Sequence, residues 1–327
     1  MSEALLEVRD LRVTFAGRGP QVRAVDGVGY CVYPGQTLAI VGESGSGKTV
    51  SCRAVMGLLP PSAVVTGSAS FAGTQLIGLT DDQMRAHRGA DVAMVFQDPT
   101  RSLNPIMRIG SQIAEAVRAH RRVSKAHARE RAVDLLRLVR IPLPERRFDE
   151  YPHQLSGGMR QRVMIAIALA CRPKLLIADE ATTALDVTTQ AQIMELLLEL
   201  QAELGMALML ISHDLGLAAS YADEVIVMYA GRIVEQAPAA RLFSRVRMPY
   251  TQALLEAIPQ LERPAHSPLP VIGGRQPDLS ALPAGCSFAP RCRHAAEDCR
   301  ATEPPLAEHE PGHRWACWHP VNGEHHD

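Results

Sequence analysis

The segment Gly42, Glu43, Ser44, Gly45, Ser46, Gly47, Lys48, Thr49 places three glycines ahead of a lysine and a hydroxyl. A polyphosphate and its cation require these residue types. Backbone N–H groups of such a turn, with the positive end of a following helix dipole, can converge on one anion. Glycine also lets the backbone approach the phosphates without a Cβ in the way. Lys48 can neutralise β and γ oxygens, and the Thr49 hydroxyl can ligate Mg²⁺. The flanking sequence agrees: the apolar run 37–41 predicts a buried strand and residues 50–59 predict a helix.

A second element, Leu175-Leu-Ile-Ala-Asp179-Glu180, is an apolar strand ending in two carboxylates. At a strand end beside the phosphate loop, Asp179 would hold Mg²⁺ and Glu180 would polarise an attacking water as general base. A lone acidic pair at a strand end would merely be solvated. Following a phosphate loop in this order, the pair reads as catalytic.

Of seven cysteines, Cys31, Cys52 and Cys171 are isolated and read as small buried residues. The other four, Cys286, Cys292, Cys299 and Cys317, cluster near the end of the chain. In a reducing compartment four clustered thiols point to a metal rather than to disulfides. Thiol chemistry alone favours Zn²⁺, although the gaps exceed those of a zinc knuckle. Free thiols in a disordered tail are the alternative.

The segment Leu155-Ser156-Gly157-Gly158-Met159-Arg-Gln, just upstream of the acidic strand, resembles the signature motif of ABC transporter ATPases. The resemblance implies a helix from about residue 159 to 171 whose N-terminal serine and glycines serve the ATP bound on a second subunit, so that two subunits close around two nucleotides. It also implies roles for single residues. Gln97 resembles the Q-loop glutamine that senses Mg²⁺ and joins the core to a helical insertion. Asp186, in Ala184-Leu-Asp186, resembles the acid that crosses the dimer interface. His213, in Ile211-Ser-His213-Asp, resembles the switch histidine that contacts the γ-phosphate and orients Glu180. Phe15 resembles the aromatic that stacks on adenine. Thr49 stands where serine is commoner, and hydroxyl replaces hydroxyl.

The run from Gly285 through Cys286 to Cys292, with Cys299 and Cys317-Trp318, resembles the C-terminal region of oligopeptide and dipeptide importer ATPases. So does Phe96-Gln-Asp-Pro-Thr-Arg-Ser-Leu-Asn-Pro105. That resemblance implies a [4Fe–4S] cluster on the four cysteines, with Zn²⁺ as the alternative. It further implies ATP hydrolysis that powers peptide uptake, a related second ATPase, two transmembrane permease subunits and a solute-binding protein. The chain would then sit peripherally on the cytoplasmic face of the membrane. Import of nickel or another solute by the same subfamily is the nearest alternative. A soluble ATPase acting on nucleic acid or ribosomes is less well matched by a single set of motifs, and no nucleic-acid partner is expected.

These motifs need a frame. The 327 residues, 46% apolar and 21% charged with a net charge of −1, fit a globular protein without a global field to attract nucleic acid or an acidic membrane. No run approaches the ~20 apolar residues of a membrane span, and the first residues do not form a signal peptide. Short alternating runs at 5–8 and 11–15 predict an antiparallel sheet, and the spacing of Ile109, Ile113, Ala116 and Val117, then Ala132, Leu135, Leu136 and Val139, predicts a helical insertion. Strands at 175–178, 207–211 and 224–228, alternating with a helix over 190–204, predict a parallel sheet covered on both faces. The basic run 118–131 reads as a solvated helix face. Ten of 23 prolines fall between Pro259 and Pro311, so the end of the chain reads as a separate, loop-rich module, and its scattered histidines (309, 313, 319, 325, 326) as exposed.

The expected fold is therefore α/β: a P-loop ABC ATPase core with an antiparallel β subdomain, a helical insertion and a small metal-stabilised extension. Its nucleotide-binding domain would span 1–260, with the helical part at about 98–171, and the proline-rich module 261–327.

Overall fold

The computed structural model describes residues 3–16, 20–183, 185–258 and 272–321. The expected boundary at 260/261, Ala184 and the histidines at 325 and 326 lie outside them. The chain forms two compact units, one built from residues 33–36 and 79–210, the other from 3–32, 37–78 and 211 onward.

The second unit carries the phosphate loop. Its antiparallel sheet has the order Val22–Val32, Leu6–Phe15, Ala63–Phe71, Thr74–Gln75. The first of these strands in the chain obeys period-two patterning: Leu6, Val8, Leu11 and Val13 are buried. The two runs expected at 5–8 and 11–15 are one strand. A register shift between Val8 and Leu11, with Asp10 at φ 45°, lets both halves face the same core. The strand Ala63–Phe71 escapes sequence reading because its buried residues are few and Gly67 interrupts it.

A second sheet in this unit begins with Thr37–Val41, buried at every position, as a strand paired in parallel with Glu224–Tyr229 must be. From there the pairing turns antiparallel. Arg232–Pro238 folds back on Glu224–Tyr229, His313–Trp315 pairs with Arg232–Pro238, and Ala307–Glu310 is the outermost strand. The expected parallel sheet is thus extended by antiparallel strands, because a tight return at Ala230-Gly231 leaves no room for a crossover. The proline-rich end contributes a hairpin to it.

That hairpin also corrects the expectation of exposed histidines. His313 is wholly buried, its Nε2 2.9 Å from Oε1 of the equally buried Glu235. Glu235 in turn accepts the backbone N–H groups of Arg247 (2.8 Å) and Met248 (3.2 Å). A buried carboxylate needs several donors, and His313 is one of them. His309 and His319 are exposed.

In the first unit Val92–Val95 and Leu175–Asp179 pair in parallel, and the strand Ala207–Ser212, next in order, begins in this unit and ends in the other. The helical insertion holds Ile109–His120, Lys125–Leu138 and Gly157–Ala168 among shorter turns. Ile109, Ile113, Val117, Ala132, Leu135, Leu136 and Val139 are buried, as their spacing predicts. Ala116 is only half-buried. Most of the basic run is exposed, but the Arg129 guanidinium lies 4.0 Å over the Phe148 ring and pairs with Asp149 at 3.1 Å. The Gly110 N–H donates to the Phe148 carbonyl at 3.0 Å. Among the described residues no helix is long and apolar enough to cross a membrane.

A Cβ at position 110 would overlap the Phe148 ring. Gly110→Ala is therefore expected to destabilise the insertion by about 1–3 kcal/mol, the usual cost of overpacking. Urea unfolding measures it, and an unchanged midpoint would show that Phe148 can swing clear.

Candidate functional site

The phosphate loop joins the strand Thr37–Val41 to the helix Lys48–Val55. Its closure rests on two glycines. Gly42 (φ 149°) and Gly47 (φ 100°) occupy backbone conformations closed to side chains, and a Cβ at either would strike a carbonyl, that of Met228 or of Ala24. The Ser46 N–H donates to the Glu43 carbonyl at 3.2 Å, and the Gly231 N–H to the Ser46 carbonyl at 3.0 Å.

Lys48 is 4% exposed. Its ammonium donates to the carbonyls of Gly42 (2.7 Å) and Glu43 (2.9 Å) and lies 3.4 Å from Ser46 Oγ. Buried among these acceptors, it can exchange carbonyls for phosphate oxygens. Thr49 follows in the first turn of the helix.

Glu43 also carries a carboxylate. Arg291 grips it through both oxygens, Nη1 to Oε2 at 2.6 Å and Nη2 to Oε1 at 3.0 Å, and this pairing raises the guanidinium pKa further. The Glu43 N–H donates to Tyr250 Oη at 2.9 Å. Burial pushes the Tyr250 phenol far above its usual range, so it stays a neutral acceptor. Sequence reasoning missed Arg291 and Tyr250. For Arg291 the available signal was Pro290-Arg291-Cys292, a charge set between two clustered thiols.

His213 is in the same unit, exposed at the end of the strand Ala207–Ser212. Behind it Asp214 caps the helix Leu215–Tyr221, accepting from the Gly216 N–H at 2.8 Å. Phe15 ends its strand half-buried, opposite Val22 and Ala63.

The other unit brings Gln97 and Glu180 together. Gln97 Nε2 donates to Glu180 Oε2 at 2.7 Å. Asp179 is buried at the end of its strand, and Glu180 follows at φ 48°, a left-handed conformation that costs a branched-off side chain of this kind about 1–3 kcal/mol. Strain of that order concentrates where a side chain must be aimed. Ser156 caps the helix Gly157–Ala168, its Oγ accepting from the Met159 N–H at 3.3 Å. The helix starts at Gly157, and Gly158 lies so close to Thr189 that a Cβ would crowd its methyl at 2.7 Å. Asp186 caps Val187–Leu204 by accepting from the Thr189 N–H (3.0 Å) and Oγ1 (2.7 Å), bonds that lower its pKa.

The four clustered cysteines converge. Cys286, Cys292, Cys299 and Cys317 line one cavity, alongside Phe288 and Trp318. The Cys286 N–H donates to the Cys299 carbonyl at 2.7 Å. Burial raises the thiol pKa of Cys286 and Cys292 and pushes Cys317 up to about 12, with the neighbouring sulfurs adding to it. Among the described residues, Asp298, Cys299 and His319 are a group whose ligand atoms fall within 4.8 Å of one another. Four thiols lining one cavity are a donor set for a metal ion or an iron–sulfur cluster.

A phosphate loop, a strand-end carboxylate pair and a capped Ser-Gly-Gly helix define a nucleotide-hydrolysing cassette, and comparison agrees. Residues 25–183 match the ABC transporter family and residues 234–299 the oligopeptide/dipeptide transporter C-terminal region. A dimeric post-hydrolysis ATP-binding cassette, MJ0796 with ADP and Pi, superposes with a TM-score of 0.64 at 28% identity, over 72% of this chain and 98% of that one. Among relatives, the probable peptide ABC transporter ATP-binding protein y4tR of Sinorhizobium fredii is 52% identical, covering 97% of this chain and 95% of that protein. The dipeptide transport ATP-binding protein DppD of Haemophilus influenzae is 52% identical (98% and 96%), and the oligopeptide transport ATP-binding protein OppD of Escherichia coli 49% identical (98% and 94%). This chain belongs to the ABC transporter ATPases of the oligopeptide/dipeptide family.

The raised Cys317 thiol makes a test of the metal-free module. A folded-state pKa above the ordinary 9.0 contributes stability that is complete below pH 9 and is lost as pH rises through about 12. Both tryptophans of the chain, Trp315 and Trp318, report on this region alone. Their emission in metal-depleted protein should stay native to about pH 9 and change between there and 12. A flat titration would mean the thiols ionise in place.

Proposed function

We propose that this chain is the ATP-hydrolysing subunit of an importer of dipeptides and oligopeptides, bound peripherally at the cytoplasmic face of the membrane. The observation that carries the reading is the preformed phosphate loop, whose buried lysine is held by loop carbonyls that phosphate oxygens can replace. Loop amides from Gly42 to Gly47 and Lys48 bind the triphosphate. Thr49, Asp179 and Gln97 would hold Mg²⁺, which would supply positive charge to the phosphates.

Glu180 takes the proton of the attacking water. Gln97, bonded to Glu180, orients that carboxylate, and His213 would contact the γ-phosphate. Phe15 offers a ring face to adenine. Ser156, Gly157 and Gly158 serve the nucleotide of a second, related ATPase, and Asp186 lies at that junction while capping its own helix. Closure of the pair drives two permease subunits between inward-facing and outward-facing states, and a solute-binding protein delivers the peptide.

The ATPase portion is assigned to residues 1–260 and the cysteine module to 261–327. Cys286, Cys292, Cys299 and Cys317 would hold a [4Fe–4S] cluster, a reading supported by the four thiols lining one cavity. The cluster supplies the cross-link that a small module without a large core needs.

Glu180→Gln is expected to keep ATP affinity and lose at least a hundredfold in turnover, consistent with loss of a general base; steady-state hydrolysis at the wild-type rate would remove Glu180 from that role. Lys48→Ala should weaken ATP binding by calorimetry, and unchanged affinity would refute the phosphate cradle. Anaerobically purified protein should be brown with about four irons and four sulfides per chain, whereas stoichiometric zinc would replace the cluster.

A further inference from the structure

The phosphate loop carries an acid, Glu43, beside the place where a polyphosphate must sit. Three groups hold this residue. Its carboxylate takes the two-pronged pair from Arg291, whose side chain is 4% exposed against 20% for Glu43. Its N–H reaches Tyr250 at 2.9 Å, and its carbonyl accepts from Lys48 at 2.9 Å. Arg291 itself is fixed from behind: Nε donates to the Gly273 carbonyl at 2.9 Å and Nη2 to that of Ile272 at 3.3 Å. It ends the single helical turn Ala289–Arg291, one residue before Cys292. The same module seats Phe288 against Tyr229 and Tyr250, with ring centroids 5.3 and 5.2 Å apart. Gln276 and Leu279 line a small cavity with Glu43, Ser44 and Gly45.

We propose that Arg291 is a positioning residue of the nucleotide site, through which the cysteine module takes part in ATP binding. The proposal rests on the nucleotide reading above. Arg291 does two things at Glu43. It holds the carboxylate in a two-pronged pair and neutralises a charge that would repel the phosphates. It also holds the backbone whose carbonyl seats Lys48. Without Arg291 the acid is released into the loop it borders.

The test is titration of full-length protein with a fluorescent ATP analogue at low and high KCl. Arg291→Ala should raise Kd about tenfold at low salt, and the penalty should shrink at high salt, because repulsion by a solvent-exposed Glu43 is screened. Combining it with Glu43→Gln should bring Kd back to within about threefold of wild type, as expected when two groups act as a coupled pair. A misfolded module would give a salt-independent loss that the second change does not repair, and that result would overturn the proposal. So would an Arg291→Ala Kd within twofold of wild type. If Arg291→Ala does not fold, Arg291→Lys, which keeps the charge and loses the fork, carries the comparison: its Kd should lie near wild type with weak salt dependence, and a tenfold loss independent of salt would count against the charge argument. Lys48→Ala is the control for the underlying reading. Wild-type binding lost in Lys48→Ala but kept in Arg291→Ala removes only the role of Arg291; no binding by wild type removes both.

Discussion

Two carbonyl oxygens, those of Ala24 and Met228, press so closely on the phosphate loop that positions 42 and 47 have no room for a side chain. Everything else in that unit is arranged around this approach. Ala24 belongs to the antiparallel sheet and Met228 to the mixed one, so the loop is where the two sheets of the unit meet. A loop packed on both sides holds its amides in place before any ligand arrives, and the ordering entropy of binding falls accordingly. Tyr250 and Arg291 then reach it from later parts of the chain. Such a loop cannot shift without moving a strand.

The chemistry was far more legible in the sequence than the architecture. Phosphate loop, acidic strand and Ser-Gly-Gly turn are local: a few consecutive residues determine the backbone, and neighbouring periodicity tells which element they end or begin. The helical insertion was legible for the same reason, since Ile109, Ile113 and Val117 mark one face of a helix. Pairing between distant segments leaves no such mark. The hairpin of residues 307–315 follows a proline-rich stretch and joins a strand some seventy residues earlier, and nothing in its own short pattern names that partner. His313 and Glu235 show the same limit. Each alone is a polar residue that belongs on the surface; only together, with two backbone donors, can they be buried.

The cysteine region is a case between these. Its four thiols announce a metal by their number, while their spacing in the chain says little about their spacing in space. Gly285 illustrates why: a Cβ there would meet backbone of Cys299 and Arg300, so two strands of the knot touch through main chain alone. That contact aligns Cys286 with Cys299, residues whose sequence separation gives no hint of it.

The hairpin from the C-terminal module has one more effect, on how the protein behaves in company. Without it, Arg232–Pro238 would end the mixed sheet and offer its backbone to any passing strand. With it, the sheet ends instead in Ala307–Glu310, four residues long and bearing Glu308 and Glu310. A short, acidic last strand repels its own copies and gives little length to pair with. Chains in which residues 307–315 have not yet been made or placed carry an open template for aggregation, and the hairpin is what closes it.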